Sequence, residues 1–353
     1  MASIRIILLT CRRTPLLRRA LASLLAQTRT DWVCELHNDA PEDESPRALL
    51  AEMAPGDPRF SYHHHAPAWG PVRSFNHCFR AGPEPLISLL EDDNWWEPGL
   101  LEALSAALAR NPTATLAWAN MRVWQEDKDS SWTDTGRTVW PIREGDMVFD
   151  WPVLIQAFDG LHSNGAMLFR SAGDGRGAVP DETPFALIEP VRERSLRGPY
   201  VLVGQALAHY ALTRSTARSR DRTLWVQGQL LLAGSFLESV ELTPGAWDEL
   251  WATFRCATPR RTGALLMVAL AGIRRREILS RARPSDMFEF VANFVGSLGA
   301  NLSGLSFRTS HAALWAWLRR ETAERTREAR EAGRDTLAAG SLISKSDAEG
   351  KPH

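Results

Sequence analysis

An apolar run in this sequence ends in three consecutive acids: Leu89-Leu90 is followed by Glu91-Asp92-Asp93-Asn94. Like charges crowded at one point are costly unless water or a cation relieves them. In an extended chain, residues two apart share a side, so Glu91 and Asp93 can face one ion together. Two carboxylates suit a hard cation such as Mg²⁺ or Mn²⁺, whose shell is often completed by substrate phosphates. The same residues also read as a solvated acidic turn before the helix that Pro98 opens, where acids favour the N-terminal dipole.

Other residues with chemical potential are scattered. Asp39 follows a second apolar run. His63-His64-His65 invites a metal reading, but neighbours in an extended segment alternate sides and do not share one ion. Trp96 directly follows the acids and is the candidate for stacking on a sugar face, against the commoner role of large apolar filler. Arg218, Arg220 and Arg222 could clamp a diphosphate, although a solvated basic loop is the commoner outcome.

These residues need a frame. Ile4–Thr10 is a continuous apolar run, the pattern of a strand buried on both faces. Leu16–Leu25 has helical spacing. Trp32–His37 is a second strand, with a helix from Pro46 to Met53 after it. Phe60–His63 is a short strand, Val72–Phe79 a helix, and Pro85–Leu90 another buried strand. Strand and helix alternate to residue 112, which predicts right-handed β-α-β units and a mostly parallel sheet. Ligands of such sheets sit beyond the carboxyl ends of the strands, where Asp39 and Glu91–Asp93 fall. Asp127–Gly145 reads as a long polar loop and Ala166–Phe169 as a short strand. After about Arg214 long helical patterns dominate (224–242, 246–256, 263–279, 285–294 and 312–332).

The motifs, in order, resemble those of family 2 glycosyltransferases. Leu9-Thr10-Cys11-Arg12-Arg13-Thr14-Pro15, with Ser23-Leu24-Leu25 and Gln27-Thr28, is similar to that family's opening strand and helix. Asn38-Asp39 resembles its strand-end acidic pair, and Gly70 through Arg73-Ser74-Phe75-Asn76 its following segment. Glu91-Asp92-Asp93 falls where its Asp-x-Asp lies. His162 through Arg170 resembles its acceptor-side segment. The likeness covers roughly the first 215 residues. Leu9, Arg12, Asn38 and Glu91 depart from the usual Pro, Asn, Asp and Asp.

The resemblance implies an α/β GT-A fold, Rossmann-like with a mostly parallel sheet flanked by helices, over residues 1–215. A helical domain for acceptor recognition or dimerisation would follow over 216–335, and a disordered tail over 336–353. It implies an inverting, metal-dependent transfer from a nucleotide sugar, UDP-sugar by default. Donor contacts would come from Thr10, Arg12, Asp39, Asn76, Glu91 and Asp92. The metal, Mn²⁺ or Mg²⁺, would be held by Asp93 and Glu91, with His209 as a third ligand. Trp96, His162 and Asn164 would line the acceptor site. The family's catalytic carboxylate is commonly the Asp of a Glu-Asp pair at a helix start. Here Leu187-Ile188-Glu189-Pro190 is the nearest match, so Glu189 is the candidate base, with Asp159, Asp181 and Glu182 as alternatives.

The bulk numbers agree with an ordinary globular enzyme. The chain has 353 residues, 44% hydrophobic and 24% charged, with a formal net charge of -1. No basic domain argues for nucleic acid. Four cysteines without a C-x-x-C pair read as reduced thiols, and no apolar stretch is long enough to span a bilayer, so a cytoplasmic protein without a transmembrane segment is expected. The acceptor would be a small molecule, glycan, lipid-linked glycan or peptide, and a homodimer is compatible. Two other readings differ in kind. A nucleotidyltransferase should carry a Gly-bearing phosphate loop, which Cys11–Pro15 lacks. A non-catalytic nucleotide-sugar-binding protein would keep the fold and lose the base.

Overall fold

The computed structural model describes residues 3–171, 175–214, 221–257, 261–333 and 336–337. Strand β1 (Ile4–Thr10) carries Ile4, Ile6, Ile7 and Leu8 with no exposed surface. Helix α1 (Thr14–Leu25) buries Leu17, Leu21 and Leu24 along one side, and Pro15 suits its first turn. Then come β2 (Trp32–Asn38), α2 (Ser45–Met53), β3 (Phe60–His64), α3 (Pro71–His77) and β4 (Leu86–Glu91). β5 (Trp95–Trp96) and α4 (Leu100–Arg110) complete the alternation expected from the sequence.

The second half of the sheet is built from β6 (Leu116–Glu126), β7 (Trp132–Thr138), β8 (Asp146–Phe149), β9 (Met167–Arg170), helix α5 (Ile188–Ser195) and β10 (Tyr200–Leu212). The order across the sheet is β3-β2-β1-β4-β9-β6-β10-β5, with β7 on β6 and β8 on β10. β1 pairs parallel with β2 and β4, and β2 with β3. β9 inserts antiparallel between β4 and β6, which itself runs parallel to β10. The region expected as a loop over 127–145 instead holds β7, antiparallel to β6. Its side chains are all at least partly exposed, so no apolar alternation marks it.

Helices follow: α6 (Arg222–Ser239), then a two-residue strand β11 (Glu241–Leu242), α7 (Pro244–Cys256), α8 (Thr262–Leu270) and α9 (Arg275–Leu279). The 263–279 pattern, expected as one helix, breaks because Gly272 and Arg274 adopt positive φ between α8 and α9. α10 (Pro284–Gly296), α11 (Leu298–Gly304), α12 (Phe307–Ser310) and α13 (Ala312–Glu331) complete the helical part. Residues 336 and 337, placed with the tail by the sequence, form β12 (Thr336–Leu337), parallel to β11. Arg218, Arg220 and the rest of the tail lie outside the described residues. Among the described residues, no helix is long and apolar enough to cross a membrane.

Helix α5 joins the two parts in an unusual way. It reads Ile-Glu-Pro-Val-Arg-Glu-Arg-Ser, yet Arg192, Glu193 and Arg194 are at most 1% exposed. Buried charges survive only when paired and hydrogen-bonded. Arg194 donates to the carbonyl oxygens of Gln156 (2.6 Å) and Leu232 on α6 (3.2 Å). Arg325 of α13 donates to the Glu193 carbonyl and lies over the Trp151 and Tyr200 rings.

Candidate active site

The three strand-end acids do not act alike. Asp92, at 1% exposure, turns inward. Its Oδ2 accepts the Thr10 hydroxyl (2.8 Å) and the Cys11 amide (3.3 Å), and Arg13 Nη2 lies 2.7 Å from its Oδ1. Asp92 therefore ties the end of β1 to the end of β4, and the Thr10 hydroxyl is spent on it. Asp92 lies in the turn that follows β4, and there its carboxylate and the Thr10 hydroxyl are bonded to each other.

Glu91 and Asp93 are each more exposed than Asp92. The Asp93 carboxylate is paired with Arg13 Nη1 at 2.6 Å. Glu91 accepts from the Asn94 amide (2.9 Å). Burial raises the Glu91 carboxyl well above the usual carboxylate range, and the nearby charges of Asp93 and Glu189 raise it further. So Glu189, almost a hundred residues on in the chain, shares an electrostatic environment with the strand-end acids. The backbone between them is close: a Cβ on Gly165 would lie 3.0 Å from Glu91 Oε2. One residue earlier, the Asn164 amide donates to Glu189 Oε1 at 2.6 Å.

Helix α5 supplies Glu189 in its first turn. Arg192, on the same helix, donates to the Asn164 side-chain oxygen and, through Nε, to the Gly177 carbonyl (2.9 Å). Burial lowers its pKa to about 10, against the opposing charges of Cys78, Glu189, Glu91 and Glu193. It remains a cation at neutral pH. Glu193 accepts from the Leu161 amide (2.6 Å), the His162 amide (3.0 Å), His162 Nδ1 (2.7 Å) and Gln156 (2.8 Å). Burial alone would raise Glu193, but these bonds outweigh it and hold the carboxyl below its ordinary value.

These contacts engage two residues of the expected acceptor set. His162 is fully buried against Glu193, and Asn164, at 5% exposure, fastens Glu189 and Arg192. Glu193 holds His162 through Nδ1 and Arg192 holds the Asn164 side-chain oxygen, while His162 Nε2 is buried without a hydrogen-bond partner. Trp96, 3% exposed, donates its indole N–H to the Gly165 carbonyl at 2.7 Å. Successive strand residues face opposite ways, and it is Trp95 that lies at the surface side. Arg19 sits over one Trp95 ring contact at 3.6 Å, and His209 stacks on the same indole at 4.6 Å. Arg19 also donates to the Asp93 carbonyl (2.9 Å).

Both ring nitrogens of His209 have partners within the protein. Its Nδ1 accepts from the Trp124 indole (2.9 Å) and its Nε2 meets Glu97 Oε1 (2.8 Å). Asn76 is equally committed: its amide donates to the Val179 carbonyl and accepts the Val179 amide, pinning that loop to α3. Asp39 holds the turn into α3, accepting from the Trp69 amide (2.5 Å), the Gly70 amide (2.8 Å) and His65 (3.2 Å). Arg12 adopts φ 58° and pairs with Glu42 at 2.5 Å. The alternative carboxylates Asp181 and Glu182 are exposed, and Asp159 bonds the Gly160 amide.

Arg13, Arg19 and Arg192 are the site residues that sequence reasoning did not single out. Arg13 lay within the opening motif, and the Arg12–Arg13 pair was the only signal. Of the expected residues, the structure brings together Glu91, Asp93 and Glu189. Burial and the like charges of Asp93 and Glu189 raise the Glu91 carboxyl. Such a set fits a hard divalent cation, which would relieve the repulsion that raises Glu91.

Residues 5–161 match the model of Glycosyl transferase family 2. No curated protein matches the chain. Among solved structures, S. aureus TarS 1-349 aligns with TM-score 0.51 and 12% identity, over 100% of this chain and 98% of that one. The same protein in complex with UDP-GlcNAc aligns with TM-score 0.50, at the same identity and coverage. A mannosyltransferase from Pyrobaculum calidifontis, in complex with GDP-Man and Mn²⁺, aligns with TM-score 0.46 and 12% identity, over 92% and 86% of the two chains. The mixed, mostly parallel sheet followed by helices is the GT-A fold.

Proposed function

We propose that the chain, whose residues 5–161 match the Glycosyl transferase family 2 model, carries out inverting transfer from a nucleotide-diphosphate sugar. The observation that carries this reading is the meeting of Glu91 and Asp93 with Glu189 across the Asn164–Gly165 backbone. Asp93 and Glu91 would hold Mg²⁺ or Mn²⁺. Bound there, the cation supplies a Lewis acid for the departing diphosphate. Arg13 neutralises Asp93 and Asp92 in the protein itself. UDP is the default nucleotide, supported by the UDP-GlcNAc complex of the similar fold.

Glu189 acts as the base. Its Oε1 accepts the Asn164 amide, which fixes the carboxylate in the first turn of α5. It removes the proton of the acceptor hydroxyl as that oxygen attacks the anomeric carbon from the face opposite the diphosphate. Residues 1–215 serve the donor and the chemistry, and 216–335 form a helical domain that recognises the acceptor or a second copy.

The test is thermal stabilisation by a panel of nucleotide sugars, with Mn²⁺, Mg²⁺ or EDTA. A ligand that binds the native state raises its melting temperature by mass action. At least one UDP- or GDP-sugar should stabilise the protein only with metal. No stabilisation by any member with either metal would sink the proposal.

A further inference from the structure

Strand β2 presents Glu35 and His37 on one face, as residues two apart must. Helix α3 covers that face with His77. The ligand atoms of Glu35, His37 and His77 all lie within 4.8 Å of one another. His37 Nε2 is 3.2 Å and His77 Nε2 3.3 Å from the same oxygen, Glu35 Oε2. On the other side of its ring, His37 Nδ1 is 3.0 Å from His65 Nε2, and His65 Nδ1 is 3.2 Å from Asp39 Oδ1.

Counting protons along this chain exposes a deficit. It runs carboxylate, imidazole, imidazole, carboxylate, with three contacts. Each contact needs one N–H, because ionised carboxylates only accept. Two neutral imidazoles carry two N–H groups between them. If Asp39 and the histidine pair are satisfied, His37 turns a bare Nε2 lone pair toward the Glu35 carboxylate. His77 adds another, since its Nε2 accepts Arg80 Nε–H at 2.7 Å. The Nε2 atoms of His37 and His77 thus lie close to one Glu35 oxygen, and the His77 lone pair is held by Arg80. A proton on His37 would satisfy the Glu35 contact alone; a cation that displaced Arg80 would satisfy Glu35, His37 and His77 together.

We infer that Glu35, His37 and His77 bind a zinc-class divalent cation at a site separate from the strand-end acids. Two imidazole nitrogens and a carboxylate oxygen are a common zinc ligand set, completed by water. The remaining contacts fit the way such ligands are held: His37 leans on His65, and His65 on a carboxylate. Arg80 now bonds Glu35 and His77, and its side chain is 40% exposed, so it can swing into water as the ion enters. The ion would clamp β2 to α3. Through His65 it would also steady Asp39, and hence the Trp69–Gly70 turn that starts α3.

The experiment is calorimetric titration of the full chain with Zn²⁺ at neutral pH, with Mg²⁺ in excess to occupy hard oxygen sites. Co²⁺ in place of Zn²⁺ reports the ligand field by visible absorption. The wild type should bind one Zn²⁺ and give the Co²⁺ spectrum of a tetrahedral site. His77→Gln, at a partly exposed position, should weaken Zn²⁺ at least tenfold and abolish that spectrum. His65→Gln should weaken it by roughly 10–100-fold, as loss of an outer partner does. Asp93→Asn should leave Zn²⁺ affinity unchanged. Failure of the wild type to bind Zn²⁺ would overturn the inference and assign the third N–H to an imidazolium. Equal affinity in wild type and His77→Gln would overturn it as well.

Discussion

Arg13 Nη1 stands 2.6 Å from Asp93 Oδ2, so the acid proposed as the principal metal ligand already has a cationic partner within its own chain. The same guanidinium reaches Asp92, which is almost wholly buried. Metal and arginine therefore compete for Asp93, while Asp92 depends on the arginine alone for charge compensation.

Arg13→Gln should separate these two roles. Mn²⁺ affinity without nucleotide should rise by roughly tenfold, about 1.4 kcal/mol, because a competing charge is gone. Stability without metal should fall by about 3 kcal/mol, since Asp92 loses its partner in a buried site. Calorimetry and denaturant unfolding of the same preparations measure both. Unchanged metal affinity would show that Arg13 does not compete.

Glu189→Gln should preserve shape and donor affinity while transfer falls by roughly 10²–10⁴-fold. Single-turnover rates with a known acceptor test this, alongside Gln or Asn variants of Asp159, Asp181 and Glu182. A wild-type rate for Glu189→Gln would place the base elsewhere.

Asp39 bonds two backbone amides of the turn into α3, so its effect on the donor is through that turn. Asp39→Ala should weaken UDP and GDP by the same factor, roughly tenfold or more, as loss of charged hydrogen bonds costs about 1.5–3 kcal/mol. Titration with both nucleotides decides it. A loss confined to one base would instead mean direct base recognition by Asp39.

Glu193 gives a pH signature. Its folded pKa lies below its ordinary value. Its stabilisation is therefore complete above the unfolded value and is lost as pH falls through the folded one. Glu193→Gln should cost about 1.5–3 kcal/mol at pH 7. The deficit should shrink once pH drops below the normal carboxylate range, where the wild type loses the same contribution. Melting curves from pH 7 to pH 3 check this; a gap that widens in acid would refute it.

The parallel half of the sheet was legible because its strands are apolar on both faces, as in β1 and β4. β10 was harder. It interrupts its apolar run with Gly204-Gln205 and bulges there against β6. Glu91 and Asp93 stood out by local pattern, at the end of an apolar strand, whereas Glu189 was named only through the family resemblance. Arg13 and Arg192 did not stand out. Arg13 meets its partners about 80 positions away, and Arg192 stands in a run of charges, Arg192-Glu193-Arg194. What distinguishes a buried guanidinium is its distant partners, and periodicity does not carry them. The Trp95–Trp96 choice failed for a related reason: a two-residue strand gives no alternation from which to read the inward side.

Helix α5 limits how this protein can be shortened. A fragment ending near residue 214 would keep every residue proposed to do chemistry. It would also remove α6 and α13, and with them the Leu232 carbonyl that Arg194 bonds and the Arg325 guanidinium that covers the Glu193 carbonyl. A charged helix made for the interior would then lie open on one side. Anyone seeking a minimal catalytic fragment should expect it to be recovered poorly unless the third and later turns of α6 and the end of α13 are kept, or α5 is recoded for a wet surface.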